Sequence, residues 1–161
     1  MAEPLESGQL AAYFALTEVG SLLQHAVEGQ LRDSGGITYV QFQILMRLWE
    51  ANGPLRMTDL ADGIVYSRSG LTYQAAQLEK AGLVTRAPSP DDERSTVVEL
   101  TGEGRALVGR VLPGHVEVVR QLLFTPLDDG DVRTLGAVLG RVRDHMRAAP
   151  PRSARSRRKR S

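Results

Sequence analysis

Cysteine is absent from this chain of 161 residues, which excludes disulfides, thiol redox sensing and cysteine-based zinc sites together. No apolar run approaches the roughly 18 residues that span a bilayer. The opening MAEPLESGQ is acidic and polar, unlike a secretory signal. The expected location is therefore the cytoplasm, with no membrane partner. Catalytic signatures are missing too: there is no glycine-rich phosphate loop, no nucleophile elbow and no clustered metal ligands. The three histidines, His25, His115 and His145, lie far apart in sequence. The acids at Asp128, Asp129 and Asp131 read as an acidic turn before a helix, whose N-terminus favours carboxylates. No enzyme, cofactor or metal site is expected. Lysine is also scarce, at 2 residues against 18 arginines, and with abundant alanine and glycine this hints at a GC-rich bacterial genome.

What remains suits one globular domain with a real core. The net charge of +1 conceals an asymmetry. The last ten residues, RSARSRRKRS, hold six cations and no acid, so removing them leaves −5. Such a block has no apolar surface to bury and reads as a disordered basic tail over 151–161, serving either phosphate contact or solubility.

Apolar residues at helical spacing (Leu10, Phe14, Val19, Leu22, Leu23 and Ala26) predict a first helix over 5–31, ended by the DSGG at 33–36. Thr38 and Gln41 form a capping box for a second helix, stopped by the NGP at 52–54. A short helix fits 57–64. Ser67 caps the next, which should end at Gly82 in the left-handed conformation. The period then changes from 3.6 to 2, so LVTRA (83–87) and STVVEL (95–100) read as two strands of a hairpin. Thr101 caps a helix running toward Phe124, with a kink or break expected at Pro113-Gly114, and a last helix covers 132–146. The predicted fold is mainly α with a small β-hairpin. A winged helix-turn-helix over about 38–101 is flanked by long helices over about 5–31 and 102–148, in a single domain spanning 1–150.

In the fourth helix, Leu71, Ala75 and Leu78 form one stripe and Ser69, Thr72, Tyr73 and Ala76 the other. The outer stripe is small and hydrogen-bonding. Helices of this kind present their N-terminal residues to base edges. Thr72 is suited to a base or a thymine methyl, and Arg68 to a phosphate or guanine. Ser67, Ser69, Tyr73 and Gln74 complete the candidate surface. The hairpin adds SPDDERSTVVELT at 89–101, whose single cation, Arg94, follows three acids at the loop tip.

From Leu78-Glu79-Lys80-Ala81-Gly82-Leu83-Val84, through Asp92-x-Arg94-Ser95, to Leu100-Thr101-x-x-Gly104-Arg105, the sequence resembles the multiple-antibiotic-resistance regulator (MarR) family. With the helix order, the resemblance extends over about residues 8 to 147. It implies that Arg94 enters a minor groove, braced by Asp92, with Ser95 beside it. A narrow minor groove attracts an inserted arginine, and a paired aspartate would hold its guanidinium in a fixed fork. Two departures reduce the attraction for phosphate: Glu93 and Tyr73 stand where many members carry a basic residue.

The resemblance implies a repressor-type regulator of double-stranded DNA. It would act as a homodimer on a palindromic operator and be released by a small aromatic or phenolic ligand. Ligand-lining candidates are Phe14, His25, Tyr39 and Trp49. The need for a partner is also legible in the residues: Val116, Val118, Val119, Leu122, Leu123, Leu135, Val138, Leu139 and Val142 exceed what a small winged domain covers. The competing reading is an RNA-binding or adaptor protein acting through the basic tail.

Overall fold

The computed structural model describes residues 3–64 and 66–148; the basic tail lies outside them. The elements run α1 (Ser7–Gly35), α2 (Tyr39–Ala51), β1 (Leu55–Arg56), α3 (Met57–Gly63), α4 (Arg68–Lys80), β2 (Val84–Pro88), β3 (Thr96–Leu100), α5 (Gly102–Val119) and α6 (Asp129–Arg147). The helix order and the hairpin match the sequence reading.

Local chemistry sets the boundaries. Thr38 accepts from the Gln41 amide while Gln41 reaches back to the Thr38 amide, the expected capping box. Ser67 caps α4 through the Gly70 amide, and Asp128 caps α6 through Asp131. Helix α4 ends in a Schellman motif: Leu83 N–H donates to the Leu78 carbonyl and Gly82 N–H to that of Glu79. Gly82 has φ +77°, the left-handed region where a side chain is unfavourable. Helix α1 continues four residues past its expected end because the left-handed residue that stops it is Gly36, at φ +63°.

Three features differ from expectation. The sheet has three strands, in the order β1-β3-β2 and antiparallel throughout. Strand β1 is only Leu55–Arg56, paired as Leu55↔Val98 and Arg56↔Val97, too short to show a period of two. Secondly, α5 passes through Pro113 without a break. Proline removes one hydrogen bond, to the carbonyl of Gly109, but Gly109 lies on the exposed side, where water can serve that carbonyl. Leu107, Val108 and Val111 hold the opposite side in the core. Thirdly, the irregularity comes later, as a π-turn over Arg120–Phe124, closed by Thr125 N–H on the Arg120 carbonyl.

The core is centred on α2, whose Phe42, Ile44, Leu45 and Leu48 are buried. Around it lie Val27 and Leu31 of α1, Leu60 of α3, Leu71, Ala75 and Leu78 of α4, Val84, Val98 and Leu100 of the sheet, and Leu107, Val108 and Val111 of α5. Two glycines permit close packing around α5. A methyl at Gly104 would run into the Leu83 backbone carbonyl, and one at Gly35 would meet Val111 Cγ2 at 2.7 Å. No residue of α6 is buried, and only Val27 and Leu31 of α1 are.

Candidate nucleic-acid interface

Of the outer stripe of α4, Ser69, Thr72 and Tyr73 are exposed and Ala76 is half-buried. Leu71, Ala75 and Leu78 face the core, so Ser67, Arg68, Ser69, Thr72 and Tyr73 are exposed. Tyr73 shows 61% of its surface. Thr72 Oγ1 donates to the Arg68 carbonyl one turn back, which fixes its rotamer and leaves its methyl group and oxygen lone pair at the surface. Gln74 departs from this group: it is half-buried, and its Oε1 accepts from Gln41 Nε2 of α2 at 3.0 Å. It joins α4 to α2 rather than extending the exposed face.

The wing tip is built by its own polar groups. Ser89 is buried, and its amide donates to the Ser95 carbonyl at 2.7 Å. Ser95 N–H donates to the Asp92 carbonyl at 3.0 Å. Asp92 Oδ1 accepts from the Arg94 backbone amide at 3.0 Å, an Asx turn. The aspartate thus braces the backbone that carries Arg94, not its guanidinium, which makes no ion pair among the described residues. Asp91 approaches Arg56 of β1 at 3.7 Å.

Between α3, the start of α4 and the wing lies a cleft of about 300 Å³. Met57, Ala61 and Leu71 contribute its apolar part, Thr58, Thr72, Ser95 and Thr96 its hydroxyls, and Arg68, Arg86 and Arg94 its charge. Three arginines on one concave surface, with no carboxylate among its lining residues, form an anion-attracting site.

Arg86 was not among the residues singled out from the sequence. Its Nε and Nη2 donate to Glu79 Oε1 at 3.3 and 3.0 Å, and its backbone N–H donates to Glu79 Oε2 at 2.9 Å. The Arg86 hydrogen bonds hold the Glu79 carboxyl below the usual carboxylate range. A signal was available. Arg86 is two residues from buried Val84, on the same face of a period-two strand, and a cation there needs an anion opposite.

The four ligand-lining candidates are divided between α1 and α2. Phe14 and His25 are exposed on α1, roughly 16 Å apart along the helix axis, and Phe14 pairs with Tyr13 instead. Tyr39 and Trp49 are half-buried against the core from α2. The histidine with a distinct environment is His115 of α5. Its ring lies 4.6 Å from that of Phe42, burial lowers its pKa, and its Nδ1 is buried without a hydrogen-bond partner among the described residues.

Comparison with known proteins decides what this arrangement belongs to. A sequence profile described as the MarR family matches residues 37–96. The crystal structure of Sco3205, a MarR family transcriptional regulator from Streptomyces coelicolor in complex with DNA, matches with a TM-score of 0.85 at 32% identity. The match covers 90% of this chain and 91% of that one. The chain belongs to the MarR family. Within it, the HTH-type transcriptional regulator PecS of Dickeya dadantii (strain 3937) is 35% identical over 108 residues, 66% of this chain and 64% of PecS. The chain thus spans a little under two thirds of that relative. The HTH-type transcriptional repressor YetL of Bacillus subtilis (strain 168) is 28% identical over 142 residues, 86% of this chain and 84% of YetL. The family and these relatives are transcriptional regulators rather than enzymes. No helix among the described residues is long and apolar enough to cross a membrane.

Proposed function

We propose that this MarR protein is a cytoplasmic repressor that binds a palindromic operator as a homodimer and is released by a small aromatic or phenolic ligand. The observation that carries the reading is the shared cleft: Arg68 and Thr72 of α4 and Arg94 and Ser95 of the wing open onto one concave surface. A duplex laid along it would meet Ser67, Arg68, Ser69, Thr72 and Tyr73 in a major groove and Arg94 in the flanking minor groove. Asp92 would serve by holding the wing tip in shape. The similarity to a repressor, YetL, supports repression over activation.

A second copy is supported by the apolar residues that a single chain leaves uncovered. Leu10, Phe14, Leu16, Val19 and Leu22 on α1 are exposed, as are Val116, Leu122, Val138, Leu139 and Val142 near the C-terminus. Of the positions expected to need partners, Leu123 and Leu135 are half-buried, and Val118 and Val119 pack partly on the core. Two-fold pairing would place the two α4 helices for half-sites about 10 bp apart, one turn of DNA.

Selection of bound sequences from random duplexes by the purified protein tests the reading. The expected product is a palindrome, bound by one dimer and weakened by a member of an aromatic-acid panel. Equal retention of all sequences, or retention of single-stranded RNA in preference, would favour an adaptor acting through the basic tail.

A further inference from the structure

Glu79 poses a problem for a DNA-binding face. It lies in the last turn of α4, next to Lys80, where the helix dipole disfavours an anion. It also sits on the helix that would enter a groove lined by phosphates. Its surroundings resolve the conflict. Strand β2 is an edge strand whose one neighbour is β3. Glu79 takes both the Arg86 main-chain N–H on the outer side of that strand and two N–H groups of the Arg86 side chain. One carboxylate therefore joins the recognition helix to the wing and fixes the Arg86 guanidinium. Nη1 of Arg86 has no hydrogen-bond partner among the described residues, and the side chain, 27% exposed, lines the same cleft as Arg68 and Arg94.

We propose that Arg86 is a third phosphate-contacting arginine of this interface and that Glu79 is its positioning residue. The inference rests on the DNA-binding reading above. A guanidinium held on two nitrogens presents the remaining one in a fixed direction, so less side-chain freedom is lost when phosphate binds. The same carboxylate sets the separation of α4 from the wing, which must match that between a major groove and the adjacent minor groove.

Charge and position make opposite predictions for Glu79→Gln. If Glu79 were only an acid near DNA, its neutralisation would tighten binding to every duplex. If it positions Arg86 and the wing, operator binding weakens by about three- to tenfold while binding to a scrambled duplex does not weaken. The experiment measures equilibrium binding of the full chain to the selected operator and to a scrambled duplex over a range of KCl. It uses wild type, Glu79→Gln, Arg86→Gln, Arg86→Lys, the Glu79→Gln/Arg86→Gln pair and Arg94→Ala, with thermal melts to confirm folding. Arg86→Gln should weaken both duplexes and flatten the slope of log K against log salt by ~0.9. Arg86→Lys should keep the slope but not the operator preference. The double variant should flatten the salt slope no more than Arg86→Gln, because Glu79 acts on the phosphate contact only through the Arg86 guanidinium. Tighter operator binding by Glu79→Gln, or an unchanged slope in Arg86→Gln, would overturn the proposal. If Arg94→Ala still loses affinity in that case, the DNA-binding reading stands. If no variant, Arg94→Ala included, alters operator binding, both fall.

Discussion

At the scale of the residue, Arg94 and His115 show two ways for a side chain to be exceptional. Arg94 is exposed at a tip whose backbone is fixed by Asp92 and Ser89, so it contributes nothing to the core. Arg94→Ala should leave thermal unfolding unchanged and weaken operator binding by about 1–3 kcal/mol, as for a lost groove contact; wild-type affinity in a filter or gel assay would contradict its role. Asp92→Ala should act less strongly and through loop order. His115 is the reverse case, exceptional by burial. Desolvation lowers its pKa, and its Nδ1 has no partner among the described residues. The unfolded chain then takes up a proton, near the ordinary pKa of about 6.5, before the folded chain does. The stability that His115 contributes is therefore complete above that pH and declines as the pH falls from about 6.5 toward the lower folded value. His115→Phe keeps the ring against Phe42 and removes the titration, so urea midpoints measured between pH 7.5 and 5 should fall less in that variant than in wild type. Equal slopes would show that His115 does not couple protonation to folding.

Elements were legible in the sequence wherever a cap, a periodic stripe or a turn glycine marked them, and hidden where their cause was a distant contact. Thr38 with Gln41, Ser67 and Gly82 each delimit a helix by bonds within a few residues, and each was readable in advance. The face of α4 was readable for the same reason: Leu71, Ala75 and Leu78 repeat within one helix. Strand β1 was not, because two residues acquire strand geometry only from β3, some forty positions later. Nor was the unbroken course of α5 through Pro113, which depends on burial of Val111 against α1, or the turn of Gln74 toward Gln41. The motif Thr101-x-x-Gly104 was recognised as a pattern, and the structure supplies its physics. Thr101 Oγ1 donates to the Gly82 carbonyl at 2.7 Å and accepts from the Gly104 amide at 3.0 Å, while Thr101 N–H donates to the Leu83 carbonyl. These bonds press the first turn of α5 onto the exit of α4, leaving no space for a side chain at position 104. Gly104→Ala should destabilise by about 1–3 kcal/mol, the usual cost of overpacking, because the obstructing atom is backbone and cannot rotate away. Denaturant unfolding measures this, and Gly102→Ala, with open space around its α-carbon, is the internal control.

For the whole molecule, the burial pattern divides the chain. Its middle is a closed core around α2, whereas the first part of α1 and all of α6 show apolar side chains to solvent. Leu139 and Val142 lie three residues apart on one face of α6, and Leu122 and Phe124 project from the π-turn before it. If a second copy covers these surfaces, dimerisation and DNA affinity are linked by more than shared contacts. Binding of the first half-site turns the second into an intramolecular event, with an effective concentration near millimolar and a gain on the order of 10²–10⁴ over one half-site alone. Substituting Leu139→Asp and Val142→Asp together places four carboxylates in a two-fold interface and none in the core around α2. The pair should sediment as a single chain, retain its helical circular dichroism, and lose operator affinity by that large factor. A half-site duplex, which a single chain can occupy, should be bound with little change. If the double variant remained a dimer, the interface would lie elsewhere on the chain. If it became monomeric yet held the full operator as tightly as wild type, two-fold recognition itself would be excluded, since one copy of α4 and one wing would then suffice.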